Sequence, residues 1–140
     1  MQWYIAAALS AIFAALTSIL AKIGIKDVSS NLATAVRTSF VLMITWGIVF
    51  WQKEAGGVGA ISKNSWIFLV LSAVATGLSW VFYFYALKVG EASKVVPIDK
   101  MSLVLTILFA ALILGEKITL IKVLGIILMT AGVLLIALWG

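Results

Sequence analysis

Three ionisable residues, Arg37, Asp99 and Lys100, lie inside long apolar stretches of the sequence. A charge at the centre of a bilayer costs about 2.5–3.5 kcal/mol on insertion scales, so such residues usually face a helix bundle or a water-filled cavity. Arg37 and Asp99 each follow the start of a predicted helix by about four or five residues, which places both ~6–8 Å below one membrane surface. An ion pair between Arg37 and Asp99 would lower the cost of burying either charge. Lys100 lies about 100° around the helix from Asp99 and is not expected to share its partner.

Polar and aromatic residues continue from these charges along two predicted helix faces. Ser102 follows Asp99 by three residues and so shares its face. Thr76, Trp80 and Tyr83 share a face of another predicted helix. Aromatic ring faces suit organic cations or ring-bearing solutes. The sequence therefore predicts a solute pathway between apolar walls, lined by Arg37, Thr76, Trp80, Tyr83, Asp99, Lys100 and Ser102.

The same charges also have a purely structural interpretation. Arg37 and Lys100 have long side chains that can snorkel to the membrane surface. Asp99 can have a structural role alone, in which it pairs with a cation and so holds two helices together. Because Asp99 is too short to snorkel, a role in transport is favoured for it over a structural pair.

Composition excludes the soluble classes of protein. Of 140 residues, 64% are apolar and 11% are charged, against roughly 45–50% and 25% in soluble domains. A domain of this size exposes too large a share of its surface to hide so much apolar area. A soluble enzyme, a disordered tail, a coiled coil and a nucleic-acid-binding module are therefore excluded, and the lipid bilayer is the expected partner.

Missing residue types narrow the chemistry further. The sequence has no Cys, no His and only five carboxylates, so it lacks thiolates and the commonest metal ligand. We expect no enzymatic activity, no cofactor and no metal site. The net charge of +5 comes from basic residues at the ends of apolar runs, where lysine extends toward lipid headgroups. No nucleic-acid partner is expected.

Five apolar runs fill almost the whole chain, each about 19–23 residues long. About 20 helical residues span the ~30 Å hydrocarbon core, and continuous rather than alternating hydrophobicity favours helices over a barrel. The predicted fold is an all-α integral membrane protein with a single domain over residues 1–140. Its helices are expected at about 3–21, 32–52, 65–87, 95–114 and 119–139.

The predicted helix ends have local causes. Ser30 or Asn31 can cap the second helix. Pro97 is expected in the first turn of the fourth helix, where its missing N–H has no partner to lose. Gly115 is expected to close that helix, and Thr119 can cap the fifth.

Basic residues are nearly balanced between the two membrane surfaces. The surface reached by the first and third loops carries six, if Arg37 and Lys100 are included, and the opposite surface carries four. Because the positive-inside rule orients a protein through such a bias, a slight one favours dual topology, in which copies insert both ways up. A single orientation is the alternative.

Dual topology suggests how one short chain could form a complete transporter. Many transporters consist of two inverted repeats, and an odd number of helices lets a second copy begin on the opposite side. We therefore expect an antiparallel homodimer. Small residues on the first helix and Gly125 and Gly132 on the fifth permit close helix approach, either within the chain or at the dimer seam.

Two segments resemble a known family: Ala86–Ile98, with the sequence ALKVGEASKVVPI, and Leu114–Thr119, with the sequence LGEKIT. Together with Arg37 and the last, glycine-containing helix, they resemble the EamA-type domain of the drug/metabolite transporter superfamily. The single five-helix domain looks most like the short bacterial and archaeal members. The resemblance implies an inner-membrane exporter or permease whose longer relatives carry two inverted domains in one chain.

These observations predict a multi-pass protein of the inner or plasma membrane that moves a small organic solute by alternating access. Small multidrug resistance proteins, which are distant relatives, rely on a membrane glutamate in their first helix. The first helix here has no acid, so Asp99 is the candidate if transport is coupled to protons. The alternative function is a non-transporting assembly or regulatory subunit of a larger complex.

Overall fold

The computed structural model describes residues 2–140, and its regular elements over that range are all helical. They are α1 (Trp3–Gly24), α2 (Ser30–Trp51), α3 (Lys63–Val89), α4 (Ala92–Asp99), α5 (Ser102–Ile113) and α6 (Leu120–Trp139), with a 3-10 turn at Ala55–Ala60. Within residues 2–140, five stretches are long and apolar enough to cross a membrane, and α4 and α5 together form the fourth. The predicted all-α membrane fold with five spans is confirmed.

The observed spans end within three residues of the predicted bounds. The largest differences are the end of α1 at Gly24 rather than 21 and the start of α4 at Ala92 rather than 95. The predicted cap at Ser30 or Asn31 is wrong: Ser29 has the extended backbone of an N-cap, and its hydroxyl accepts a hydrogen bond from the Leu32 N–H at 3.2 Å.

The other two helix ends follow the sequence. Gly115 adopts a left-handed backbone, with φ +69°, directly after the last turn of α5. Glycine adopts this conformation without the steric penalty of a Cβ atom. The Thr119 hydroxyl accepts a hydrogen bond from the Lys122 N–H at 3.3 Å and so caps α6.

The fourth span is broken, contrary to the prediction of one continuous helix. Helix α4 ends at Asp99 and α5 begins at Ser102. Pro97 lies in the interior of α4 rather than in its first turn, because the helix begins at Ala92. Proline has no N–H to donate to the preceding turn and its ring crowds that turn's carbonyl. It therefore weakens the helix directly before the break.

The chain divides into two compact units, Met1–Ile19 with Val89–Gly140 and Leu20–Lys88. In the first unit, α6 packs mainly against α4 and to a lesser extent against α5. In the second unit, the buried apolar residues are Ile25, Phe84 and Leu87, which lie after the end of α1 and in the last turns of α3. The predicted single domain over residues 1–140 stays a prediction.

Apolar side chains along the spans are mostly exposed. Residues such as Phe82 and Leu128 leave more than two thirds of their surface uncovered, and no described residue of α6 is buried. In water such surfaces would be unstable, because burial of apolar area is the main force that stabilises a fold. The lipid bilayer covers them in a membrane protein.

Candidate functional site

Arg37 lies against two aromatic rings of α3. Its guanidinium carbon is 4.6 Å from the centre of the Trp80 ring and 5.4 Å from that of Phe84. Attraction between a cation and a ring face is strongest for tryptophan and grows when water is excluded. Phe84 is only 3% exposed and Trp80 is half-buried. The rings therefore hold the arginine head in a largely apolar environment inside the membrane-spanning part of the chain.

One nitrogen of Arg37 is an unused hydrogen-bond donor within the described part of the chain. The Nη1 atom is buried, and no acceptor within residues 2–140 takes a hydrogen bond from it. A buried donor without a partner costs about 1–3 kcal/mol, and more when the group is charged. The rings stabilise the charge but offer no acceptor in the plane of the guanidinium. Arg37 is thus fixed in place with an unused hydrogen-bond donor.

Local features of α2 and α3 determine the surroundings of Arg37. In α2, the hydroxyls of Thr34 and Thr38 donate to the carbonyls one turn earlier, Ser30 at 2.8 Å and Thr34 at 2.7 Å. This pattern satisfies polar side chains on the helix without a partner from outside. In α3, Trp80 and Phe84 are four residues apart and so stack on one face.

Two lysines join the ends of helices next to this cluster. Lys22, in the last turn of α1, donates to the Leu87 carbonyl at 2.6 Å. Lys88 donates to the Val28 carbonyl in the loop before α2, also at 2.6 Å. Leu87 lies in the last turn of α3, where carbonyls lack partners within the helix. Both lysines thus bind backbone oxygens of the protein. The sequence predicted only that lysines at the ends of apolar runs extend toward lipid headgroups.

The other predicted residues of α3 lie in different surroundings. Tyr83 is half-buried and its ring meets that of Phe84 edge to face at 5.8 Å. The Tyr83 ring therefore extends the aromatic cluster beyond Phe84. Thr76 is exposed, and its hydroxyl donates to the Ser72 carbonyl at 2.9 Å. That bond occupies the threonine proton within its own helix.

Asp99 and Lys100 lie at the break in the fourth span. The Lys100 ammonium is 3.1 Å from Asp99 Oδ2. The sequence predicted that Lys100 and Asp99 would not share a partner. It did not predict that they pair with each other, which they do where the helix is interrupted. Around the break, the Met101 N–H donates to Ile98 and the Leu103 N–H to Lys100, both at 3.0 Å and three residues apart. Such tight turns within a helix often mark hinges.

Ser102 begins α5 directly after this break. Its hydroxyl is exposed, and its carbonyl accepts a hydrogen bond from Thr106 at 2.8 Å. A groove of about 360 Å³ lies beside the break and is apolar apart from Lys100. Its lining residues come from α4, α5, α6 and the break: Pro97, Lys100, Met101, Leu103, Val104, Leu128, Met129, Gly132, Val133 and Ile136.

The predicted pathway residues thus form two groups. Arg37, Thr76, Trp80 and Tyr83 lie in one unit, and Asp99, Lys100 and Ser102 lie in the other. The Arg37–Asp99 pair joins residues of the two units and stays a prediction, as does the transport role of all seven residues. Phe84 is not among the predicted residues, although its position four residues after Trp80 places it on the same helix face.

Comparison with known proteins identifies a transporter family. Residues 1–138 match the model of the EamA-like transporter family. A protein of Sinorhizobium sp. described as an uncharacterized transporter in the cobO 3′ region is 44% identical over 97% of this chain and 96% of its own. An uncharacterized protein of Methanocaldococcus jannaschii is 33% identical over 50% of the chain and 51% of its own. No solved structure gives a significant match.

Proposed function

The chain belongs to the EamA-like transporter family, and on that basis we propose that it moves a small organic solute across the inner or plasma membrane by alternating access. The proposed working unit is an antiparallel homodimer. Family membership supports a multi-pass membrane transporter.

The unused Nη1 donor of Arg37 carries the proposal. Burying a charge in a membrane span is expensive, and keeping one of its donors unused adds to that cost. A purely structural residue at this position would be more stable as an apolar side chain packed on Trp80 and Phe84. We infer that the donor is kept for a solute that passes through the protein.

The break in the fourth span supports alternating access. Discontinuous membrane helices often form solute sites in transporters, and irregular backbone is tolerated where it borders protein or water. The Asp99–Lys100 pair, 3.1 Å apart, lies at this break. We propose that α4 and α5 tilt about Lys100 and Met101 as the solute site opens to one side and then to the other.

The homodimer is supported by the number of spans and by unused surface. One five-span chain could supply one half of an inverted pair. Its basic residues are nearly balanced between the two predicted membrane surfaces, six to four if Arg37 and Lys100 are included. A Cβ atom added at Gly125 or Gly132 would meet no atom within 4 Å. These glycines thus leave room for the close approach of another helix, and we propose that a second copy supplies it.

Transport by the purified chain tests the proposal. Liposomes containing only this protein are loaded with a mixture of small metabolites, and the solutes that leave are identified by mass spectrometry. We expect at least one solute to leave faster than from empty liposomes, and Arg37→Gln to slow that efflux at least tenfold. Lys63→Gln, an exposed charge removed at the start of α3, is the matched control and keeps the wild-type rate.

The opposite result has a specific meaning. If no solute leaves faster from protein-containing liposomes than from empty ones, although the protein is folded and inserted, the chain does not transport alone. A role as an assembly or regulatory subunit would then replace the proposed function.

A further inference from the structure

We propose that Arg37 is the recognition site for an organic anion, a carboxylate or phosphate group attached to an apolar body. This inference rests on the proposed function for the fate of the ligand, but its binding can be measured without transport. The ligand's anionic group would occupy Nη1, and its apolar body would lie along the aromatic cluster formed by Trp80, Tyr83 and Phe84.

The aromatic cluster is not free to bind an organic cation at the position of Arg37. The guanidinium already covers the Trp80 ring at 4.6 Å and lies 5.4 Å from Phe84. A second cation in the same place would replace it or be repelled by it. The sequence alone suggested organic cations or ring-bearing solutes, and the position of Arg37 reverses the expected sign of the ligand's charge.

The guanidinium lies beside two successive turns of α3. Trp80 is nine residues before the end of α3 and Phe84 is five, which is ~13 Å and ~7 Å along the helix. The guanidinium carbon is 4.6 Å from the centre of the Trp80 ring and 5.4 Å from that of Phe84. A ligand bound at Nη1 would therefore lie close to both rings.

The chemistry of the free donor selects the ligand group. Arginine remains charged and presents its donors in a planar fork that matches the two oxygens of a carboxylate or phosphate. Nη1 is buried and has no acceptor among the described residues. Only an acceptor that carries a negative charge offsets both the unused donor and the desolvated cation. A neutral carbonyl would satisfy the donor but leave the charge unbalanced.

Direct binding tests this assignment with probes that share one ring and differ in charge. Wild-type protein in neutral detergent is titrated by calorimetry with benzoate, phenyl phosphate, benzyl alcohol and benzylamine. We expect saturable binding of benzoate or phenyl phosphate at least tenfold tighter than that of benzyl alcohol or benzylamine. Equal or tighter binding of benzylamine, or no binding of either anion, overturns the proposal. This comparison requires no variant.

Variants then locate the site. Arg37→Gln should weaken anion binding at least tenfold, whereas Arg37→Lys should keep part of it and Lys63→Gln all of it. Size-exclusion elution and thermal unfolding show whether each variant is folded. If folded Arg37→Gln binds the anions as tightly as wild type, the site lies elsewhere and the assignment to Arg37 is wrong.

A lipid phosphate is the other source of the same chemistry, and native mass spectrometry distinguishes it. Retention of phosphatidylglycerol by wild type and its loss from Arg37→Gln, with no binding of the soluble anions, would identify a lipid site and overturn the solute proposal. Anion binding without efflux from liposomes would refute the proposed transport but leave this inference standing. Efflux of cations or neutral solutes without anion binding would do the reverse.

Discussion

At the scale of single residues, the structure gives the basic side chains different roles. Arg37 covers aromatic rings and keeps a buried donor unused. Lys22 and Lys88 donate to backbone carbonyls 60 or more residues away in the chain. From the sequence, all of these residues are basic groups near the ends of apolar runs. The role of each side chain depends on which neighbouring helix it contacts. The hydropathy of one sequence does not predict these contacts.

Lys22 provides a stability test at this scale. Lys22→Met keeps the apolar stem but removes the charged donor to the Leu87 carbonyl, which lies 2.6 Å away. A hydrogen bond to a charged group contributes about 1.5–3 kcal/mol, so we expect a lower Tm in detergent than for wild type. Lys26→Met, which changes an exposed lysine, is the control and should leave the Tm nearly unchanged. Equal Tm values for the two variants would show that the bond contributes little.

At the scale of elements, the break between α4 and α5 is the feature most open to experiment. Pro97→Ala restores an N–H to the turn before the break and removes the ring that crowds the preceding carbonyl. We expect slower hydrogen–deuterium exchange at Lys100 and Met101, a lower transport rate and unchanged anion binding at Arg37. Val95→Ala, a substitution in the same helix that keeps its N–H, is the control. Unchanged exchange in Pro97→Ala would mean that the proline does not maintain the break.

The elements also show how far sequence reasoning reaches. The five spans were predictable to within three residues because a continuous apolar run of ~20 residues has few stable arrangements other than a membrane helix. The cap of α2 was placed one or two residues late, since several capping residues follow one another at Ser29, Ser30 and Asn31. The break was missed because residues 101–114 are almost uniformly apolar and hydropathy does not register backbone geometry.

The sequence predicted which residues form the candidate site better than it predicted which of them are in contact. Arg37, Trp80 and Tyr83 were selected from the sequence, and the structure puts all three in one unit with Phe84. Their contacts depend on the rotation of α2 and α3 about their own axes. Common depth below a membrane surface suggested Asp99 as the partner of Arg37, and that pair stays a prediction.

At the scale of the whole molecule, the proposed antiparallel dimer requires that one short chain insert both ways up. The slight bias of six basic residues against four is weak under the positive-inside rule. A dimer of opposite orientation requires that both orientations be populated about equally. A chain inserted one way only could form at most a parallel dimer or a complex with a different partner.

Cysteine labelling in intact cells measures this distribution. The natural sequence has no cysteine, so Gly59→Cys, in the exposed loop between α2 and α3, and Gly140→Cys each introduce a single thiol. If insertion is dual, a membrane-impermeant maleimide should label about half of the copies of each variant from outside, and the rest only after permeabilisation. If one variant is labelled fully and the other not at all, the chain has a single orientation. The antiparallel dimer would then be excluded, whereas the proposed anion site at Arg37 would be unaffected because its residues lie within one chain.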